Sequence, residues 1–199
     1  MNRTLKIVVA DDELDMRDYL QQILPLLGHQ VLGVARTGRE LVELCAATHP
    51  DLVITDIKMP DMDGIDAAAQ IYRQGPIPVI LVSAYHDADF VRRAEADHIL
   101  AYLVKPIKQA DLEPAIGIAM RRFEQFEAMR KETADLKQAL EDRKVIEKAK
   151  GILMKKAGLD EHDAFRRLQK LASEKNRKLI DIAQMILTAE EALEPPGRS

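Results

Sequence analysis

Five short runs in the first hundred residues, at positions 5–10, 31–35, 52–56, 79–83 and 101–104, are rich in β-branched residues and almost wholly apolar. A strand with one wet face alternates polar and apolar positions, whereas a run that is apolar throughout is covered on both faces, as in a parallel sheet between helix layers. The segments between the runs have helix length. The pattern therefore predicts βα repeated five times, an open, doubly wound α/β sheet of five strands. Ligands of such sheets collect beyond the carboxyl ends of the strands, so the polar residues that follow each run are the ones to inspect.

From Gln109 the pattern becomes a long helix, interrupted near its start by Pro114 and Gly117 and reaching at least Lys156. Phe126, Met129, Thr133, Leu136 and Leu140 recur at alternating spacings of three and four, a short heptad seam suited to pairing two chains as a coiled coil. The alternative is a stripe packed on its own chain. Gly158 can close this helix and Asp160 can cap the next, over about 161–175, whose apolar side is Ala164, Leu168, Leu171 and Ala172. A last helix carries Leu179, Ile182, Ala183, Ile186 and Leu187, before Pro195, Pro196 and Gly197 end the order. The expected layout is an α/β domain over 1–120, a helical coiled-coil linker over 121–138, a small three-helix all-α domain over 139–194 and a disordered tail over 195–199.

A chain of 199 residues has room for these two folded units, and 47% hydrophobic with 31% charged residues is the balance of a soluble globular protein. No apolar run approaches the ~18 residues that span a bilayer, and the N-terminus enters a strand without a signal-peptide region, so a cytoplasmic location is expected. Cys45 is the only cysteine; it excludes an internal disulfide and a thiolate zinc cluster and is expected to pack as a small apolar residue. The five histidines show no ligand spacing. The net charge of −4 conceals an asymmetry: over 143–180, twelve basic side chains face five acidic ones, leaving +7 there and −11 elsewhere. An acidic front and a basic back suggest different partners.

The predicted strand ends present Asp11 and Asp12 after the first, Asp56 at the third, Ser83 at the fourth, and Lys105 with Pro106 after the fifth. Three crowded carboxylates need a balancing cation, and an all-oxygen acidic cluster suits Mg²⁺. Lys105 adds a second positive charge and Ser83 a hydroxyl donor, which together could hold a phosphoryl group being passed to Asp56. The set resembles the receiver domains of two-component response regulators, of flavodoxin-like fold. The matching residues are Asp11–Asp12, Asp56 followed by Met59, Pro60, Asp63 and Gly64, Ser83–Ala84, and Tyr102 ahead of Lys105–Pro106. The resemblance implies Asp56 as phosphoacceptor from a sensor histidine kinase, with Asp11, Asp12, Asp56 and the backbone carbonyl of Lys58 as Mg²⁺ ligands. It also implies Lys105 against the phosphoryl oxygens and Ser83 with Tyr102 as the switch, through which the surface over 87–103 changes shape. Ser83 replaces the family's commoner threonine and keeps its hydroxyl. Lys58 cannot act as the general acid that a phosphatase of similar fold would need, so no catalysis is expected beyond Mg²⁺-dependent self-phosphorylation and self-dephosphorylation.

The basic end resembles the ANTAR family of RNA-binding antitermination domains through Ala139–Leu140–Glu141, Arg143, Val145–Ile146–Glu147, the block Ala149–Lys150–Gly151–Ile152–Leu153–Met154, Asn176–Arg177–Lys178–Leu179 and Asp181–Ile182–Ala183. Glycine in mid-helix costs ~1 kcal/mol, so Gly151 is expected to admit another helix at close range. The resemblance implies three helices, a homodimer and binding to paired RNA stem-loops that blocks a transcription terminator. Phe165, the sole aromatic over 136–187, is expected to fill the bundle core, which leaves recognition to basic side chains, loop shape and ribose hydroxyls. Candidate RNA contacts are Lys150, Asn176, Arg177 and Lys178, then Arg143, Arg166 and Lys170. A DNA-binding or a purely protein-binding helical output is the alternative.

Overall fold

A computed structural model of the chain describes residues 3–84 and 99–193. Strands β1 (Lys6–Ala10), β2 (Gln30–Ala35), β3 (Leu52–Asp56), β4 (Val79–Ser83) and β5 (Ile99–Val104) form one parallel sheet in the order β2-β1-β3-β4-β5. Helices α1 (Leu14–Leu26), α2 (Gly38–Thr48) and α3 (Gly64–Gln74) connect the first four strands. The fourth connection falls on residues 85–98, outside the described residues, and so does the expected tail over 195–199. After β5 come α4 (Gln109–Ala157), α5 (Glu161–Glu174) and α6 (Leu179–Leu193). Two compact units result, Met1–Glu127 and Ala128–Ser199.

Why the strands read as unbroken apolar runs is visible in the first unit. Ile7, Val9, Leu52, Ile54, Ile80 and Val82 face a core shared with Leu20 and Leu24 of α1 and with Leu112, Ile116 and Ala119 of α4. Their neighbours Val8, Ala10, Val53, Val79 and Leu81 face the opposite core, with Leu41, Val42 and Cys45 of α2 and Ile65, Ala68 and Ile71 of α3. Each large side chain fully buried in these layers is worth ~1.5–3 kcal/mol, so the sheet is anchored from both sides. Burial pushes the Cys45 thiol up to about 12, which keeps it protonated and inert.

In the second unit α4, α5 and α6 meet at Ala149, Leu168, Ile182 and Ala183, all buried. Asp160 caps α5 by accepting from the Asp163 amide at 2.8 Å, and Gly158, at φ +64°, closes α4, both as the sequence suggests. Two expectations fail. Phe165 is 37% exposed, because the buried row of α5 runs through Ala164 and Leu168 and the ring projects beside it. Gly151 has no helix against it: α4 turns Val145, Ile146, Ala149 and Leu153 toward the bundle, and a Cβ at Gly151 would meet nothing within 4 Å. Along the heptad stripe Phe126 is half-buried, whereas Met129, Leu136 and Leu140 are 67%, 61% and 59% exposed.

Candidate functional site

The strand order reverses between β1 and β3, and a crevice opens there at the carboxyl ends of the strands. Asp11 and Asp12 follow β1 and Asp56 ends β3, so the fold delivers all three to that crevice. Carboxylate oxygens of Asp11, Asp12, Glu13 and Asp56 lie within 4.8 Å of one another. Asp11 and Asp56 are buried, Asp12 and Glu13 exposed. Lys105 reaches in after β5, its Nζ 2.9 Å from Asp11 Oδ2, 2.9 Å from Asp56 Oδ2 and 3.0 Å from Glu13 Oε1. Burial by itself lowers an ammonium, but the close carboxylates of Asp56, Asp11 and Glu13 outweigh it and hold Lys105 above the ordinary lysine range.

Asp11 shifts upward, since the burial of its carboxylate exceeds the help it receives from Lys105 and from the Glu13 amide. Its Oδ2, although at ion-pair distance from Lys105, has no partner in hydrogen-bond geometry among the described residues. A buried oxygen left without a hydrogen bond, in a cluster of four carboxylates, is a donor set that fits a hard divalent cation such as Mg²⁺.

Behind the cluster, the buried Arg17 of α1 donates from Nη1 to the carbonyl oxygens of Asp11 at 2.7 Å and Asp12 at 2.9 Å, pinning the acidic loop. Arg17 and Glu13 are the two site residues that the sequence reading missed. The available signal was the position of Arg17 on the buried row of α1 that includes Leu20 and Leu24, where a charge requires a partner. At the end of β3 the Ile57 amide donates both to Val82 O at 3.0 Å and to Asp56 Oδ1 at 2.6 Å. A Cβ at Gly64 would overlap the Asp56 carbonyl oxygen, so only glycine allows α3 to start so close to β3.

Asp12, Glu13, Asp56, Lys58, Ser83, Ala84 and Lys105 line a cavity of about 160 Å³. Tyr102 is not among its lining residues; it is half-buried against the core on the α2 and α3 side of the sheet. The surface over 87–103 that was expected to respond falls mostly on residues 85–98, outside the described residues.

The response regulator receiver domain model matches residues 7–117. The chain belongs to the response regulator family. This response regulator also carries an ANTAR domain, whose model matches residues 134–187. It is 40% identical over 182 residues to the transcriptional regulatory protein PdtaR of Mycobacterium tuberculosis, covering 92% of this chain and 89% of that protein. It is 36% identical to HptR of Staphylococcus aureus over 58% of this chain and 46% of that one. The signal receiver domain of the putative response regulator NarL from Mycobacterium tuberculosis superposes with a TM-score of 0.54 at 29% identity, covering 58% of this chain and 94% of that one. No helix among the described residues is long and apolar enough to cross a membrane.

In the ANTAR domain the candidate RNA contacts occupy different settings. Lys150 is only 8% exposed and lies between Glu147, at 2.6 Å, and Glu161, at 2.8 Å; their hydrogen bonds hold its ammonium above the ordinary value. Asn176, Arg177 and Lys178 are exposed in the turn between α5 and α6, with Asn176 in the left-handed region at φ +49°. Arg143, Arg166 and Lys170 are exposed on helix surfaces, and Lys170 lies 3.8 Å from Glu174.

Proposed function

We propose that this response regulator accepts a phosphoryl group on Asp56 from a sensor histidine kinase, and that the modified receiver controls dimerisation and the binding of the ANTAR domain to RNA stem-loops, giving transcription antitermination. The observation that carries the reading is Asp56 in the switch-point crevice, hydrogen-bonded to Lys105 beside the buried Asp11 Oδ2, which Lys105 ion-pairs without hydrogen-bond geometry, in one chain with an ANTAR domain. In the transfer, a bond forms between an Asp56 carboxylate oxygen and phosphorus as the phosphorus–nitrogen bond of the kinase phosphohistidine breaks. Asp11, Asp12, Asp56 and the backbone carbonyl of Lys58 would hold Mg²⁺, which supplies neutralising charge to the phosphoryl oxygens when bound.

The remaining work falls to protein groups. Lys105 shields the incoming phosphoryl charge from the carboxylates around it, and the Ile57 amide orients Asp56 through Oδ1. Ser83, at the rim of the same cavity, donates its hydroxyl to a phosphoryl oxygen, and the movement of its loop opens room for Tyr102. Exposure of Met129, Leu136 and Leu140 supports the seam from Phe126 through Thr133 to Leu140 as the dimer contact. Thr133 is tolerated on such a seam because its hydroxyl bonds back to Met129 O at 2.8 Å. The +7 of residues 143–180 supports a polyanionic partner for the output.

A titration of a tandem pair of short RNA hairpins tests both ends of the protein, comparing acetyl-phosphate-treated wild type with Asp56→Asn and using duplex DNA of equal length as competitor. Phosphorylation is expected to tighten binding to the hairpins, Asp56→Asn to lose the response, and duplex DNA to compete poorly. Binding that ignores phosphorylation would refute the coupling, and indifference between RNA and duplex DNA would refute the output assignment.

A further inference from the structure

Phe165 is 37% exposed and stands outside the buried core of the bundle, and what surrounds it is polar. Phe165 and His162 of α5 line, with Glu161 and with Glu147 and Lys150 of α4, an open cavity of about 420 Å³. The three charged groups form one array, with Lys150 Nζ between Glu147 Oε2 and Glu161 Oε1. An aromatic face beside hydrogen-bond acceptors and a donor is the equipment that holds an unstacked nucleobase, the ring taking the base plane and the polar groups its edge.

The ground next to this cavity suits a sugar-phosphate chain. Helical spacing puts Gly151 one turn beyond Glu147 and between the cavity and the row Lys144, Lys148 and Lys155, all of them exposed. A chain leaving the cavity toward these lysines would cross α4 at Gly151, where a side chain would stand in its way and where the protein itself puts nothing within 4 Å. The mid-helix glycine, which costs the fold ~1 kcal/mol and serves no packing within the chain, then has a reason. Lys150 offsets one of the two carboxylates, and the three adjoining lysines, which meet the phosphates, outweigh the charge that is left.

We infer that the cavity at Phe165 is a nucleobase pocket, in which one unpaired base of an RNA loop stacks on the Phe165 ring against Glu147, Lys150 and Glu161 while its backbone crosses Gly151 to Lys144, Lys148 and Lys155. This rests on the RNA-binding reading and adds base recognition to it.

The test uses the full chain and RNA hairpin pairs with randomised loops, enriched on the wild-type protein and then titrated against Phe165→Leu, Phe165→Tyr and Gly151→Ala, with thermal unfolding of each variant alongside. Phe165→Leu is expected to weaken binding about tenfold, the loss of one stacked base, and Phe165→Tyr to stay within about threefold of wild type. Gly151→Ala separates a ligand role from a structural one: it is expected to raise the melting temperature and yet weaken RNA binding about fivefold or more. If wild type binds the enriched RNA and both Phe165→Leu and Gly151→Ala bind within twofold of it, the pocket is refuted and RNA binding stands. If wild type enriches no RNA, the RNA reading falls and takes the pocket with it.

Discussion

Asp56 depends on two neighbouring residues: Gly64, which lets its carbonyl lie against the start of α3, and Lys105, which offsets its charge. Gly64→Ala forces either β3 or the first turn of α3 to move, an overpacking cost of ~1–3 kcal/mol. Urea unfolding is expected to show that loss, and acetyl-phosphate labelling a slower modification of Asp56; unchanged stability would mean that the contact relaxes freely. A second residue-scale test concerns His29, buried near the start of the strands, whose Nδ1 accepts from the Leu5 amide at 3.3 Å. Burial lowers its pKa below the usual 6.5, and Glu113 only partly opposes this; Arg3 and Glu124 line the same cavity. The unfolded chain therefore binds the proton more readily, and stability is full above 6.5 and falls as the pH drops through the folded value. His29→Gln is expected to flatten the stability profile below the usual histidine value of 6.5. A slope identical to that of wild type would assign the acid sensitivity to other groups.

At the scale of elements, the fold was legible wherever burial is two-sided or a cap is local. All five strands were found because their residues feed two cores, and Gly158 with Asp160 marked the α4–α5 turn by backbone chemistry alone. The ends of β2 and β5 were read one and two residues short, since Gln30 breaks the apolar run of β2 and Ile99 lies in a stretch of mixed polarity. In the candidate site, the residues that follow strand ends could be read from order, whereas Arg17 had no motif to mark its backbone-carbonyl contacts and showed only as a charge on the buried row of α1. The expectation that Phe165 fills the core fails for a related reason. A short helix packed on two others has a narrow buried row, and neither hydrophobicity nor charge says on which side of that row a residue falls; Phe165 turned outward and Lys150 lies almost enclosed between two glutamates.

For the molecule as a whole, the proposed coupling between its two units requires a difference in free energy that phosphorylation and self-association share. The exposed seam gives a way to break that link while leaving each unit folded, because Leu136 and Leu140 are already in water in the single chain and charging them costs the monomer little. A double variant, Leu136→Glu with Leu140→Glu, is expected to remain monomeric after acetyl-phosphate treatment, to take up phosphoryl on Asp56 at the wild-type rate, and to bind a single RNA hairpin as wild type does. What it loses is the second attachment: a dimer gripping two tethered hairpins gains avidity, so affinity for the tandem pair should fall about a hundredfold in the variant. Analytical ultracentrifugation and RNA titration read the two effects separately. A dimer that persists in the variant would move the interface elsewhere. Equal dimer fractions in phosphorylated and unphosphorylated wild type would show that the receiver acts on the output by a route other than assembly.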